Sequence, residues 1–288
     1  MSLDAEAAWR LVLALRHRPC DRHGAADVTV RPDGTWSAEQ AVPGDAATIL
    51  DLYLPLAAAG RWVLGHLGQS LDGRIACCSG HSASLTGGAN LDHLHRLRAL
   101  ADAVVIGAGT ALADDPRLTT RRVAGTSPTR VVVAGRRPLD PGLGLFTDGQ
   151  APTLVLRTAA SPPLPPDISG EEVAATADGR PDPSAVVAAL ARRGLHRLFI
   201  EGGGQTVSAF FAAGALDRLQ LCIAPLLIGS GVAAVSLPAV ATVREAARLQ
   251  GRWLPMGSDM LFDCPLPTAS HSNTGGADAR ATTSAAVP

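Results

Sequence analysis

The chain has 288 residues, 47% of them hydrophobic, enough to bury a substantial core in one large or two modest domains. Its 25 basic and 26 acidic residues leave a formal charge of −1 and are interspersed, which gives no sign of a nucleic-acid groove or a basic membrane face. Every basic residue is arginine, so a lysine Schiff base or lysine general base is excluded.

Residues 1 to about 60 open with an amphipathic helix (Trp9, Leu11, Val12, Leu15), followed by the hairpin-like DVTVRPDGTWSAE with its Asp33-Gly34 turn. A second helix spans roughly Asp45 to Ala58. The piece is short for an independent domain and is expected to pack on the main body. From there the pattern alternates strand and helix. RWVLGHL reads as a strand, and SLDGRIACC as a turn into another. Asn90 can cap a helix with Leu91, Leu94, Leu97 and Ala101 on one face. DAVVIGAG, RVVVAG and PTLVLRT are strands, and Pro183 to Arg193 is a helix closed by Gly194. HRLFIEGGG is a strand entering a glycine turn, QTVSAFFAAG the helix after it, and DRLQLCIAPLLIG and MLFDC complete the sheet. Such alternation predicts an α/β sheet with helices on both faces. The tail, 266–288, lacks bulky apolar groups and is expected to be disordered.

The five cysteines (Cys20, Cys77, Cys78, Cys222, Cys264) form no CxxC pair, so neither a zinc site nor a disulfide framework is expected, and no metal. The start of the chain carries acids early and lacks a small-residue cleavage site, so it does not read as a signal peptide. No apolar run approaches the ~20 residues that span a bilayer, and a cytoplasmic location is expected.

Four motifs can carry chemistry. Glu201-Gly202-Gly203-Gly204 lies between a strand and a helix, where glycines let backbone amides approach an anion such as a pyrophosphate. Three consecutive glycines exceed what a tight turn alone requires. Gly107-Ala108-Gly109-Thr110 starts like a dinucleotide fingerprint, but Leu112 stands at its sixth position and no acid ends a strand ~20 residues on. That excludes the ordinary Rossmann site and leaves a nucleotide loop of another kind. Asp114-Asp115-Pro116-x-Leu118-Thr119-x-Arg121 offers two carboxylates and an arginine in one rigidified loop, suited to a sugar phosphate or, taken alone, to a solvated Asp-Pro turn. Ser70-Leu71-Asp72-Gly73-Arg74 is, by itself, a hairpin turn, and Ser79-Gly80-His81-Ser82 follows it. His66 lies in an apolar strand, where a satisfied core histidine is the usual explanation. His93 and His95 fall on different helix faces and are no metal pair. Ser82 lacks the G-x-S-x-G elbow of a hydrolase.

In this order and spacing, SLDGRIA, SGHS, LHRLRALADAVVIGAGT, ADDPRLTTR and EGGG resemble the reductase domain of the bifunctional riboflavin-biosynthesis deaminase/reductase. The resemblance runs from about Arg61 to Cys264 and divides the chain into an extension (1–60), a reductase domain (61–265) and the tail. It implies a dihydrofolate-reductase-like fold, a mixed, mostly parallel sheet of about eight strands with helices on both faces, typically in a homodimer. It implies NADPH-dependent reduction of the ribose of a 5-phosphoribosylamino-pyrimidine, with hydride attacking C1′ of the opened sugar. By motif, Gly68, Ser84, Gly107, Thr110, Asp114, Gly135 and Gly202, Gly203 and Gly204 fall to the cofactor, Gly135 near its 2′-phosphate. His66, Ser82, Arg98, Leu118, Arg121 and Glu201 fall to the substrate, the arginines on its phosphate. Asp114 is the candidate catalytic group, as proton donor or as orienter.

Three departures stand out. The zinc-deaminase signature is absent, so deamination is expected to fall to another protein or to none. His66 replaces the family's usual lysine, which reads the pyrimidine, so the base stays open. Ser84 replaces a common aromatic. A reductase of another imine, pyrimidine or pterin, and a non-catalytic nucleotide-binding relative, remain alternatives.

Overall fold

The computed structural model describes residues 3–17 and 28–267; Cys20 and the tail beyond residue 267 lie outside them. Helix α1 (Ala5–His17) leads to a hairpin of β1 (Val28–Val30) and β2 (Trp36–Ala38), then α2 (Gly44–Ala58). The main body runs β3 (Trp62–Ser70), β4 (Arg74–Cys77), α3 (Gly88–Leu100), β5 (Ala103–Gly107), α4 (Ala108–Asp114), β6 (Thr129–Ala134), α5 (Gly144–Thr147), β7 (Thr153–Arg157) and β8 (Gly170–Glu172). It continues through α6 (Pro183–Arg192), β9 (Arg197–Ile200), α7 (Gly204–Ala212), β10 (Arg218–Ala224), β11 (Gly231–Ala233), β12 (Arg252–Met256) and β13 (Asp259–Pro265).

Nine strands form one sheet in the order β12-β13-β10-β3-β9-β5-β6-β7-β8, one more than expected. All pairs from β10 to β8 are parallel, and β13 pairs antiparallel with both β10 and β12. Alternation across the pleat splits the apolar residues between two faces. On β5, Val104 and Ile106 join the cluster that contains α1, α2 and α3, while Ala103 and Val105 join that of α6 and α7. Leu3, Trp9, Leu50, Tyr53 and Leu54 share the first cluster with Leu64, Val104 and Phe199, so the amino-terminal segment packs into the same core as the sheet. No helix among the described residues is long and apolar enough to cross a membrane.

Two local readings change. Asn90 does not cap α3: Gly87 does, and Asn90 sits inside the first turn with its side chain buried. The helix is therefore rotated, and Leu91 is 42% exposed rather than part of the packed face. The segment through Thr110 and Asp114, expected as a loop, is the short helix α4, ended by Asp115 at φ 38°. The short elements α5, β8, β11 and β12 carry no sequence signal of the kind used above.

A chain of buried hydrogen bonds ties α2 through α3 to the antiparallel edge. The Tyr53 hydroxyl donates to His93 Nδ1 at 2.6 Å, and the other ring nitrogen pairs with Gln220 Oε1 at 2.9 Å. Gln220 in turn donates to Asp263 at 3.0 Å, a fully buried carboxylate that also holds Arg218 and Arg252. Burial pushes the Tyr53 hydroxyl up to about 12, so it stays a donor across the physiological range. Tyr53→Phe leaves His93 Nδ1 unpaired in the core, and chemical denaturation should record a loss of about 1–3 kcal/mol.

Candidate active site

A groove of about 1080 Å³ opens at the carboxyl ends of β5, β6 and β9, where ligands of parallel sheets bind. Its lining includes Gly107, Gly109 and Thr110 on one side, Gly203 and Gly204 on another, and Gly135 at the end of β6. The glycines are needed for space. A Cβ on Gly204 would run into the backbone carbonyl of Ala234, and one on Gly202 would lie 3.0 Å from Gly107 N. The amide of Gly203 donates to Thr110 Oγ1 at 2.9 Å, which locks the glycine turn to α4. Asp114 lies four residues after Thr110 on the same face of α4; it is exposed at the surface and outside the groove lining. Partial burial raises its pKa above the usual carboxylate range.

Arg136, Arg137 and Arg180 also line the groove. Arg180 is paired with Asp178 at 3.1 Å, whereas Arg136 and Arg137 form no ion pair among the described residues. The sequence reading missed all three. In a chain whose every cation is arginine, an Arg-Arg pair after a strand carries little signal, although its position just after Gly135 was the clue.

The substrate-side candidates gather around α3. Arg98 is buried and forms an ion pair with Glu201, its Nε donating to Oε2 at 2.7 Å, while Nη1 donates to the carbonyl of Thr119 at 3.0 Å. These two residues engage each other and brace the loop after α4. Arg121 is exposed and forms no ion pair among the described residues; its backbone amide donates to His95 Nδ1 at 3.1 Å. Burial, Arg98 and Arg117 lower its pKa, the mark of a site rich in positive charge. Leu118 is in the core, so only its backbone can face a ligand. Ser82 and Ser84 are exposed in the loop before α3. The left-handed non-glycine residues among those described are Ser84, Asp115 and Leu118, at φ 60°, 38° and 54°. All three lie in the two candidate loops, at a cost of roughly 1–3 kcal/mol each.

His66 and Gly68 lie on the α3 face of β3. A Cβ at Gly68 would approach Thr86 to 2.8 Å, so glycine there lets the loop before α3 close on the strand. His66 is 3% exposed and absent from the groove lining; its Nε2 meets Asn90 Oδ1 at 3.1 Å. The Asn90 amide donates to Thr86 Oγ1 at 3.0 Å, so its Oδ1 accepts and His66 carries its proton on Nε2. Asp72 sits in a tight turn, but not in the expected hairpin, because β4 pairs with β11 and not with β3; its carboxylate accepts from the Ser70 hydroxyl at 2.6 Å and from the amides of Ile228 and Gly229, which holds its pKa down at about 2. No group of three or more acidic, histidine or cysteine side chains that could hold a metal occurs among the described residues.

The model of the RibD C-terminal domain matches residues 61–255. The chain belongs to that family. A 2,5-diamino-6-ribosylamino-4(3H)-pyrimidinone 5′-phosphate reductase of Methanothermobacter thermautotrophicus is 32% identical over 213 residues, covering 70% of this chain and 96% of the relative. The riboflavin biosynthesis protein RibD of Mycobacterium tuberculosis is 36% identical over 185 residues, 63% of this chain and 47% of that protein, so the chain spans about half the length of that relative. Among solved structures, Acinetobacter baumannii RibD superposes with a TM-score of 0.61 at 22% identity, over 76% of this chain and 62% of that one. This likeness bears on the fold alone, which is the dihydrofolate-reductase-like α/β sheet of RibD reductase domains. Within this RibD-type framework the groove and the α3 cluster lie on neighbouring sides of β9, whose carboxyl end supplies both Glu201 and the glycine turn.

Three buried histidines carry a pH signature. Burial lowers the pKa of His66 to about 3 and those of His93 and His95 to about 4, with the neighbouring His93 acting further on His66 and arginines on His95. Each folded-state value lies below the unfolded one, so unfolding takes up protons and stability falls with pH from about 6.5 toward 4. With all three titrating, the slope approaches roughly 4 kcal/mol per pH unit at the steep end. A melting temperature that stays flat between pH 6.5 and about 4.5 would contradict neutral buried histidines.

Proposed function

We propose that the protein is the NADPH-dependent reductase that converts the ribose of a 5-phosphoribosylamino-pyrimidine to the ribitylamino product. The observation that carries this reading is the juxtaposition, at the end of β9, of a glycine-lined groove and an arginine-rich loop in which the Arg121 guanidinium forms no ion pair among the described residues. The RibD family and the reductase name of the archaeal relative support the same reading.

The groove fits a dinucleotide phosphate: its volume exceeds the upper range of ordinary small-molecule pockets, its glycines leave backbone amides accessible, and Arg136 and Arg137 bring charge to the Gly135 end. Those two arginines would hold the 2′-phosphate, which favours NADPH over NADH. When bound, the cofactor supplies the hydride. The protein's work is then positioning. Thr110, fixed by Gly203, and Asp114 one turn further hold the reacting end, and the raised pKa of Asp114 suits it to keep a proton near the sugar nitrogen or oxygen. Arg121 takes the substrate phosphate, while the Arg98–Glu201 pair fixes the loop beneath it. Gly68 and the loop of Ser82 and Ser84 close the site over β3. His66, neutral and hydrogen-bonded, sets the floor beside Asn90.

The deciding assay follows NADPH oxidation with 5-amino-6-(5-phosphoribosylamino)uracil beside its 2,5-diamino-pyrimidinone counterpart. Turnover of one identifies the base. Silence with both, in a protein that binds NADPH, would move the function to another imine or pterin. Arg121→Ala should raise KM for the phosphorylated substrate by roughly 2 kcal/mol and leave KM for NADPH unchanged; equal losses for both would remove Arg121 from the phosphate.

A homodimer completes the reading. The segment after β11 exposes Leu237 at 41%, Val240 at 51% and Val243 at 79%, and the β12 edge exposes Trp253 at 55%, an apolar run that a second copy would cover. Val243→Asp should shift the mass measured by light scattering from dimer toward monomer; an unchanged mass, or a monomeric wild type, would exclude this surface.

A further inference from the structure

The segment before residue 61 lies outside the family match and none of its described residues lines the groove, yet side chains of α1 reach the loop that carries Arg121. Trp9 on α1 donates its indole N–H to the carbonyl of Ala124 at 2.9 Å. Two turns on, Arg16 donates to the carbonyls of Leu100 and Ala101 at 3.1 and 2.9 Å, and to Thr126 Oγ1 at 3.4 Å. Leu100 and Ala101 end α3, whereas Ala124 and Thr126 follow Arg121 by only a few residues. Between them Gly125 turns at φ 139°, where a Cβ would collide with Ala99 of α3. Helix α1 therefore lies across the junction of α3 with the 119–126 loop. The same segment grips α3 from the side, with the Arg96 guanidinium 5.8 Å from the Trp9 ring and 5.7 Å from that of Tyr53.

The loop needs such a hold. Arg121 sits among Arg98, Arg117 and Arg122, and its own guanidinium makes one long contact, 3.5 Å to Thr119 Oγ1. Glu201 and Asp92 are already paired with Arg98 and Arg122. Like charges so close favour an outward swing of an exposed loop until an anion arrives. Its inward position rests on the Arg98 guanidinium bonded to the Thr119 carbonyl, the Arg121 amide bonded to His95, the Thr120 amide bonded to Ser127 Oγ at 3.1 Å, and the α1 contacts.

We propose that α1, backed by α2, braces the anion end of the site, with Trp9 and Arg16 as positioning residues that hold the loop of Arg121 in its binding geometry. The proposal rests on Arg121 as the phosphate ligand. A segment that only covered the core would affect both ligands or neither.

The test uses the full chain. Trp9→Phe removes one donor and keeps the ring against Tyr53. KM for the phosphorylated pyrimidine should rise about five- to tenfold, with kcat and KM for NADPH within about twofold of wild type. Arg16→Met should act in the same direction and Arg16→Lys should recover most of the loss. Amide exchange should quicken across 119–126 and stay unchanged across 129–134. Equal rises in both KM values, or unchanged exchange across 119–126, overturn the brace. Should Trp9→Phe not fold, Arg16→Met carries both readouts. A wild type that reduces neither pyrimidine defeats the functional reading alone. The exchange measurement needs no substrate and still decides the brace.

Discussion

The ion pair of Arg98 with Glu201 is the constraint on which the site depends. It joins α3, which carries the buried polar side chains of Asn90, His93 and His95, to the end of the central strand from which the glycine turn departs. Both partners are mostly buried, so each charge is tolerated only because the other is present, and the third contact, to the Thr119 carbonyl, satisfies a donor that would otherwise be stranded. One interaction thus fixes α3, β9 and the loop after α4 relative to one another. The glycine-lined groove and the loop of Arg121 cannot drift apart without exposing an uncompensated charge.

From that pair the remaining order follows outward along α3. Asn90 sets the tautomer of His66, His93 receives Tyr53 and reaches Gln220, and His95 holds the Arg121 amide. Four polar side chains on one thirteen-residue helix face four different elements. That accounts for a helix whose apolar stripe is poor: its packing is specified by hydrogen bonds, which demand one register and one rotation.

The sheet was legible because buried parallel strands announce themselves as short apolar runs punctuated by glycine, as DAVVIGAG and RVVVAG do. The Glu201 to Gly204 turn was legible for a related reason, since three glycines in a row exceed the needs of a turn. The start of α3 was not. Asn90 has the chemistry of a cap, but its amide is claimed by His66 and Thr86, and a glycine took the position by default. The helical state of α4 was hidden by its glycine and alanine content, and the groove arginines by a composition that uses no other cation. The brace was invisible in principle. Trp9 and Arg16 read as an amphipathic helix, and nothing local marks that their polar atoms meet residues more than eighty positions away.

The absence of lysine sharpens the question of where protons come from in this site. Guanidinium groups do not release protons near neutrality. The histidines packed along α3 and β3 are held neutral by burial, and Tyr53 is pushed the other way, to about 12. Asp72 and Asp178 are held down by the hydrogen bonds they accept, whereas partial burial pushes the exposed Asp114 upward. Carboxyls driven in opposite directions by their surroundings separate a candidate acid from the structural anions. In the function proposed above, that contrast makes Asp114, one turn after Thr110 on α4, the candidate to carry a proton to the reacting end of the sugar.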